Sequence, residues 1–173
     1  SLGRYATTGP LHPRIGPIKP GYRIAGSAYP VRVPSRDVSA LWRAVQKAPA
    51  GTVIVVDRGQ DRFFAAVDYE LALMAQHRGL AGIVVDGPAT NRSRLERLGF
   101  PVFCTGFSPA ACLVQGIGGE IGVSVECGGV VVNPGDAVIG DADGVVVIPQ
   151  AGCLARLAEA EAEMARIALR DGH

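Results

Sequence analysis

The feature that most constrains the fold is a pair of short, continuously apolar segments that each end in a polar turn. One covers residues 52–56, and the other, residues 83–85, runs directly into Asp86-Gly87-Pro88. A strand that is apolar at every position is typical of a sheet covered on both faces. A helix is predicted between the two segments, over about 65–77, with Leu71, Met74 and Ala75 toward the core. The order strand, helix, strand favours an α/β fold with parallel strands.

The remaining pattern predicts one domain over residues 1–173. Residues 1–21 indicate an extended lead-in, 22–33 one or two strands, and 35–47 a helix that Ser35 or Asp37 would cap. A short helix over 93–98 and a strand over 102–104 repeat the rhythm, and 106–119 is expected to be a loop. Short antiparallel strands should follow, and a helix is predicted over 151–170. This order favours a three-layer β/β/α arrangement over a doubly wound sheet.

Composition excludes several classes of protein. The formal charge of +1 over 173 residues gives no general attraction to nucleic acid or to a membrane. No apolar stretch reaches the roughly 18 residues that a spanning helix needs, and no secretory segment opens the sequence, so we expect a cytoplasmic protein. The four cysteines show no CxxC spacing and are predicted to be free thiols.

The segment Gly79-Leu-Ala-Gly-Ile-Val-Val-Asp-Gly-Pro-Ala-Thr-Asn91 resembles the signature of the RraA-like family, which reads GxxGxVxDGxxRD at this place. The resemblance continues through 15–21, 24–28 and 50–57 upstream, and through 100–104, 128–136 and 141–149 downstream. The family includes the 4-hydroxy-4-methyl-2-oxoglutarate aldolases and the RraA regulators of ribonuclease E. It implies a β/β/α "swivelling" fold and assembly as ring-like homotrimers or hexamers.

The resemblance also implies where chemistry would occur. In the aldolases the motif Asp holds a divalent metal and the motif Arg faces the enolate oxygen. This chain has Thr90 at the Arg position and Asn91 at the Asp position. Thr90 supplies no cation but, by its place in the motif, is a candidate catalytic and substrate-binding residue. Asn91 offers only a neutral, weak ligand to Mg²⁺ or Mn²⁺.

Other residues are candidates to fill the deficit. We expect Arg92 to stabilise charge, with Arg94, Arg58 and Arg62 as further candidates, although such charges are also common on solvated surfaces. The resemblance implies that Glu70 orients the metal and its water and that the amides of Leu71 and Ala72 bind a carboxylate. It also implies a carboxylate from a neighbouring subunit, for which Glu163 is the candidate, whereas Asp68 is expected to act as a helix cap.

Three functions remain open from the sequence. The first is a divergent metal-assisted carbon–carbon lyase or decarboxylase that acts on a small 2-oxo acid. The second is a non-catalytic binding or regulatory protein on the same trimeric scaffold. A third reading, a specialised enzyme that uses the same cleft for other chemistry, also fits the sequence.

Overall fold

The structure is a computed structural model, and it describes residues 9–33, 36–59, 61–155, 158–159, 161–163 and 166. Its helices are α1 (Ser39–Lys47), α2 (Tyr69–His77) and α3 (Arg92–Leu98). Its strands are β1 (Gly16–Pro17), β2 (Ile24–Arg32), β3 (Thr52–Asp57), β4 (Gly82–Val85), β5 (Val102–Cys104), β6 (Glu120–Ile121), β7 (Val125–Cys127), β8 (Val130–Val132), β9 (Ala137–Asp141) and β10 (Gly144–Ile148).

Eight of the described strands form one mixed sheet in the order β1-β5-β4-β3-β2-β9-β10, with β6 beside the end of β2. Strands β2, β3, β4 and β5 are parallel, and β9 and β10 add an antiparallel flank. In the parallel part, Val56 lies opposite Val85. Since β3 and β4 both end at this level, the residues that follow them meet at one edge of the sheet.

The central strands are buried on both faces, as their apolar sequences predict. Alternate residues such as Ile54, Val56 and Val85 pack with the three helices. Their neighbours Val55 and Val84 pack on the opposite face, in a second core that includes residues of the separate β7–β8 hairpin. Helices, mixed sheet and hairpin form three layers, so the predicted β/β/α architecture is confirmed.

Helix α2 begins four residues later than the sequence suggests, at Tyr69 rather than near Ala65. Asp68 is its N-cap, and the preceding residues pair with other loops through the isolated bridges Ala65↔Ala111 and Val67↔Ala89. The backbone groups of this extended segment are already hydrogen-bonded to loops on two sides, so helix formation is not required to satisfy them. The prediction of a helix from 65 was therefore wrong by one turn.

Helix α1 likewise begins at Ser39, and its N-cap, Val38, makes no side-chain cap hydrogen bond. The Asp37 carboxylate accepts from the Ser39 amide but also from the distant loop at 115–118. Ser35 lies outside the described residues. The predicted C-terminal helix is present in part: the described residues of 153–166 are helical, and the rest of 151–170 is outside the description.

The four cysteines are free thiols, as predicted. Cys104 and Cys127 are buried, whereas Cys112 and Cys153 are partly exposed. Within the described ranges, every helix is too short or too polar to traverse a lipid bilayer.

Candidate functional site

The signature turn leaves the sheet at the end of β4 and enters α3 through Thr90 and Asn91. The Thr90 amide donates to the Val67 carbonyl at 2.9 Å, which fixes the turn against the segment before α2. Asn91 has φ 58°, the left-handed conformation, and is the only described non-glycine residue with positive φ. Asn tolerates this conformation better than most residues. Its side chain makes no cap hydrogen bond to α3, and its Oδ1 accepts from the Tyr69 amide at 3.5 Å.

The start of α2 lies directly beside this turn. The Leu71 amide donates to Asp68 Oδ1 at 2.8 Å, and the Ala72 amide donates to the Asp68 carbonyl at 3.2 Å. Both amides that were predicted to bind a substrate carboxylate therefore already have partners. The anionic end of a bound acid would have to displace the Asp68 side chain from Leu71.

Asp68 lies at the start of α2, where the sequence analysis predicted only a helix cap. Its side chain is half-buried, and burial raises the pKa of Asp68, with the nearby charge of Glu70 acting in the same direction. The Leu71 amide and the charge of Arg94 act in the opposite direction. The two carboxyl groups and Arg94 thus form one interacting cluster at the start of α2.

Arg94, rather than Arg92, places its guanidinium in this cluster. Arg94 Nη1 lies 2.8 Å from Glu70 Oε1, and the guanidinium lies 3.8 Å from the centroid of the Tyr69 ring. Because both partners of this ion pair are about half exposed, the pair is weak and readily exchanged for a ligand.

Arg92 is directed elsewhere. Its Nε pairs with Glu96 Oε1 at 2.8 Å on α3, and its guanidinium lies 5.1 Å from the Phe107 ring centroid. The structure thus associates Arg92 with the outer face of α3 and associates Arg94 with Glu70.

The two arginines after β3 are also committed to other partners. Arg58 is buried and lies 2.8 Å from Asp61 Oδ2 and 3.2 Å from Cys112 Sγ. Arg62 donates to the Asp86 carbonyl at 2.8 Å. None of these contacts involves Thr90 or Asn91. They therefore do not support the prediction that Arg58 or Arg62 supplies the cation that the motif lacks.

Asp86, the Asp of the signature's Asp-Gly pair, is the centre of a separate polar network. Arg14 donates through Nε to one carboxylate oxygen at 3.1 Å and through Nη2 to the other at 2.9 Å, and Arg62 and the Gly128 amide also donate to Asp86. The side chains of Arg14, Arg62 and Asp86 line a cleft of about 490 Å³ together with Asp57, Gly59 and Glu126. No local sequence pattern predicts this network, because its members come from distant segments.

A divalent metal is the group that the resemblance implies, and the donors at the start of α2 are of the right chemical type. Glu70, Asp68 and Asn91 all offer oxygen ligands, which Mg²⁺ and Mn²⁺ prefer. Only two of the three are charged, and one oxygen of Asp68 is already engaged with Leu71. Among the described residues, no group of three or more His, Cys, Asp or Glu side chains could hold a metal. A divalent metal at this place therefore stays a prediction.

Glu163, the predicted donor from a neighbouring subunit, lies on the C-terminal helical segment and pairs with Arg166 of its own chain at 3.3 Å. Its role across a subunit boundary stays a prediction.

Comparison with known proteins shows the family to which the chain belongs. The model of the RraA-like family, described as Aldolase/RraA, matches residues 2–147. The chain belongs to the RraA-like family. The match contains the signature turn, the start of α2 and the Asp86 network.

Several sequence relatives of this RraA-like chain carry aldolase names. A Halalkalibacterium halodurans protein named "Putative 4-hydroxy-4-methyl-2-oxoglutarate aldolase" is 42% identical over 137 residues, which is 79% of this chain and 64% of that protein. An uncharacterized Methanocaldococcus jannaschii protein is 36% identical over 72% of this chain and 60% of its own length. The chain thus spans a little under two thirds of these curated relatives.

Solved structures of RraA proteins share the fold. Streptomyces coelicolor RraAS2, described as an unusual member of the RNase ES inhibitor RraA family, has a TM-score of 0.83 and 27% identity, over 95% of this chain and 84% of its own. The RNA-processing inhibitor RraA from Thermus thermophilus has a TM-score of 0.77 and 26% identity, over 86% and 89%. The scaffold is therefore common to proteins named as aldolases and proteins named as inhibitors.

Proposed function

We propose that this RraA-like protein is a divergent lyase that breaks a carbon–carbon bond in a small 2-oxo acid, with Arg94 in place of the signature arginine. The observation that supports the proposal is the Arg94–Glu70 pair at the start of α2. It brings a cation to the helix turn whose Tyr69 amide contacts Asn91, and the motif itself has no cation. The aldolase names of the relatives support the same class of substrate.

The chemistry requires an electron sink. When the bond to the departing group breaks, as in loss of CO₂ from oxaloacetate, the electron pair remains on the 2-oxo acid as an enolate, which then takes up a proton. A positive group beside the enolate oxygen lowers that barrier, and a bound Mg²⁺ or Mn²⁺ would add to the polarisation. Glu70, Asp68 and Asn91 are the residues that would hold such a cation.

The residues of this chain have distinct tasks in the proposal. Arg94 turns from Glu70 to the substrate oxygen, which costs little because the pair is exposed. Asp68, whose pKa is raised by burial, is suited to return a proton to the carbon. The Thr90 hydroxyl lies on the turn that the Val67 carbonyl fixes, and there it contributes a neutral hydrogen bond to the substrate.

The test is oxaloacetate decarboxylation and cleavage of 4-hydroxy-4-methyl-2-oxoglutarate, with Mg²⁺ or Mn²⁺, followed by pyruvate release. Arg94→Gln should lower kcat/KM by about a hundredfold, the order expected for loss of one charge-stabilising group. Arg92→Gln is the matched substitution on the same helix and should have little effect. Turnover no faster than the metal alone in solution would contradict the proposal.

A non-catalytic binding or regulatory function is the second candidate, and one specific observation favours it. Asp68 occupies the Leu71 amide while Glu70 and Arg94 neutralise each other, so the cluster is self-contained without a ligand. The inhibitor names of the structural neighbours are compatible with this function.

The double substitution Thr90→Arg with Asn91→Asp separates the two candidates. If the native chain is inactive and the double variant gains decarboxylation, the scaffold is intact and the native site has lost its chemistry, as the second candidate requires. If the native chain is active and Arg94→Gln abolishes that activity, the lyase is supported.

A further inference from the structure

The polar cleft around Asp86 opens at the edge of the sheet where β3 and β4 end. Its lining includes Asp57, the last residue of β3, and Asp86, the residue directly after β4. Because Val56 lies opposite Val85, the two carboxylates leave the sheet at the same level. Ligands of α/β sheets commonly bind in the crevice outside the carboxyl ends of parallel strands. The volume of about 490 Å³ is within the range of small-molecule sites.

This cleft is separate from the site proposed for the lyase. Asp86 accepts from the Gly128 amide between β7 and β8, so the cleft lies toward the hairpin side of the sheet. Thr90 instead donates to the Val67 carbonyl, beside the start of α2. Since the described lining of the cleft contains neither Arg94 nor any other residue of the lyase site, a ligand here would be a second one.

One part of the lining is positive. Arg14 and Arg62 both donate to Asp86, so one carboxylate balances two guanidinium groups and a net positive charge remains. Among the described residues, neither Arg14 Nη1 nor Arg62 Nε has a hydrogen-bond partner. The two side chains are 34% and 39% exposed. They can therefore donate to an anionic group in the cleft.

Another part of the lining is negative. Glu126 on β7 is exposed and forms no ion pair within the described ranges. Asp57 accepts from the Gly59 amide at 2.7 Å, whereas its other oxygen has only a long contact of 3.4 Å with Arg32 Nε. The pKa of Arg14 is raised mainly by its hydrogen bond to Asp86 and also by the charge of Glu126. Glu126 is thus within electrostatic reach of Arg14.

We propose that the cleft binds a zwitterionic α-amino acid. Its carboxylate would accept from Arg14 and Arg62, and its ammonium group would donate to Glu126 and Asp57. Two arginines and three carboxylates line the cleft, a balance that opposes a simple anion, whereas a zwitterion matches both signs. Because Glu126 and Arg14 act on the same space, the two charges of the ligand must be only a few atoms apart, as they are in an α-amino acid.

The first test is isothermal titration calorimetry of the native protein with each standard amino acid at millimolar concentration. At least one should bind. The carboxylic acid that lacks the ammonium group of that ligand, and the amine that lacks its carboxylate, should each bind about tenfold more weakly or worse. Absence of binding by every amino acid would overturn the proposal. A carboxylic acid that binds as tightly as the amino acid would also overturn it, and would indicate a site for simple anions.

The second test uses variants that keep the fold. Glu126→Gln changes an exposed side chain and should raise the Kd about tenfold, because the ammonium group loses its charged partner. Arg14→Lys keeps a charge beside Asp86 but loses the forked donors, and should also raise the Kd about tenfold. Glu96→Gln, on α3 at the helical side of the sheet, is the matched control and should leave the Kd unchanged.

Circular dichroism confirms that the three variants are folded. Equal effects of Glu126→Gln and Glu96→Gln on the Kd would contradict the proposed site. The proposal does not rest on the lyase function, because binding is measured through Glu126 and Arg14, whereas turnover is measured through Arg94. Failure of one proposal can therefore be told from failure of the other.

Discussion

Asp86 receives hydrogen bonds from three distant parts of the chain: Arg14 in the lead-in, Arg62 after β3, and the Gly128 amide between β7 and β8. Its side chain is only 7% exposed, whereas the two guanidinium groups are partly solvated. One carboxylate thereby connects the lead-in, the edge of the sheet and the hairpin.

Replacing this carboxylate should destabilise the protein strongly. Asp86→Asn leaves Arg14 and Arg62 without their countercharge, and we expect a loss of about 3 kcal/mol in the free energy of unfolding. Glu96→Gln, which removes the surface pair with Arg92, should cost roughly 0.5 kcal/mol. Chemical denaturation of both variants measures the contrast. Equal losses in the free energy of unfolding would show that the Asp86 network stabilises the protein no more than a surface ion pair does.

Asp37 should make stability depend on pH in acid. Hydrogen bonds from the Ser39 hydroxyl and from backbone amides hold the pKa of Asp37 well below its ordinary value. Since the folded pKa is lowered, the stabilisation is complete above the unfolded pKa and is lost as pH falls toward the folded value.

The variant Asp37→Asn isolates this effect. We expect it to be less stable than the native chain at pH 7, and the difference should shrink steadily below about pH 4. Urea denaturation at a series of pH values measures it. A difference that does not change with pH would contradict the assignment.

At the scale of elements, α2 is defined by its cap. Asp68 ends the extended segment 65–67 and starts the helix by accepting the Leu71 amide. Asp68→Ala should therefore cost about 1 kcal/mol, whereas Asp68→Asn, which keeps an acceptor oxygen, should cost much less. Thermal unfolding followed by far-UV circular dichroism provides the measurement, and similar losses for the two variants would argue against the capping role.

The central strands were predictable from sequence because 52–56 and 83–85 are apolar at every position. A short segment of this kind is typical of a strand that is buried on both faces. The start of α2 was not, because the bridges from Ala65 and Val67 depend on loops far along the chain. In the candidate site, Thr90 and Asn91 were predicted from the signature and Glu70 from the wider family resemblance, and their roles stay predictions. The preference for Arg94 over Arg92 depends on the direction of α3, which no local pattern reveals.

At the scale of the whole molecule, one sheet separates two cores. Val56 packs with the helices and Val55 with the hairpin side, although the two residues are adjacent in β3. Since both cores share the same strands, loss of either core would expose apolar side chains of those strands and weaken the sheet on which the other core packs. The described chain should unfold as one cooperative unit.

Paired substitutions test this cooperativity. Val55→Ala and Val56→Ala should each lower stability by about 2 kcal/mol, and each should shift one common transition. Trp42, the only tryptophan, reports the helical side by fluorescence, while circular dichroism reports the whole fold. Transitions that separate between the two probes in either variant would indicate two independent units.

The left-handed backbone at Asn91 leads to a last consequence. Asn and Asp both tolerate that conformation, and they differ only in whether an NH₂ group or a second oxygen completes the side chain. A descendant or an ancestor of this chain could thus exchange a neutral tip for an anionic one while the turn keeps its shape. Within this lineage, charge at that point can evolve separately from architecture.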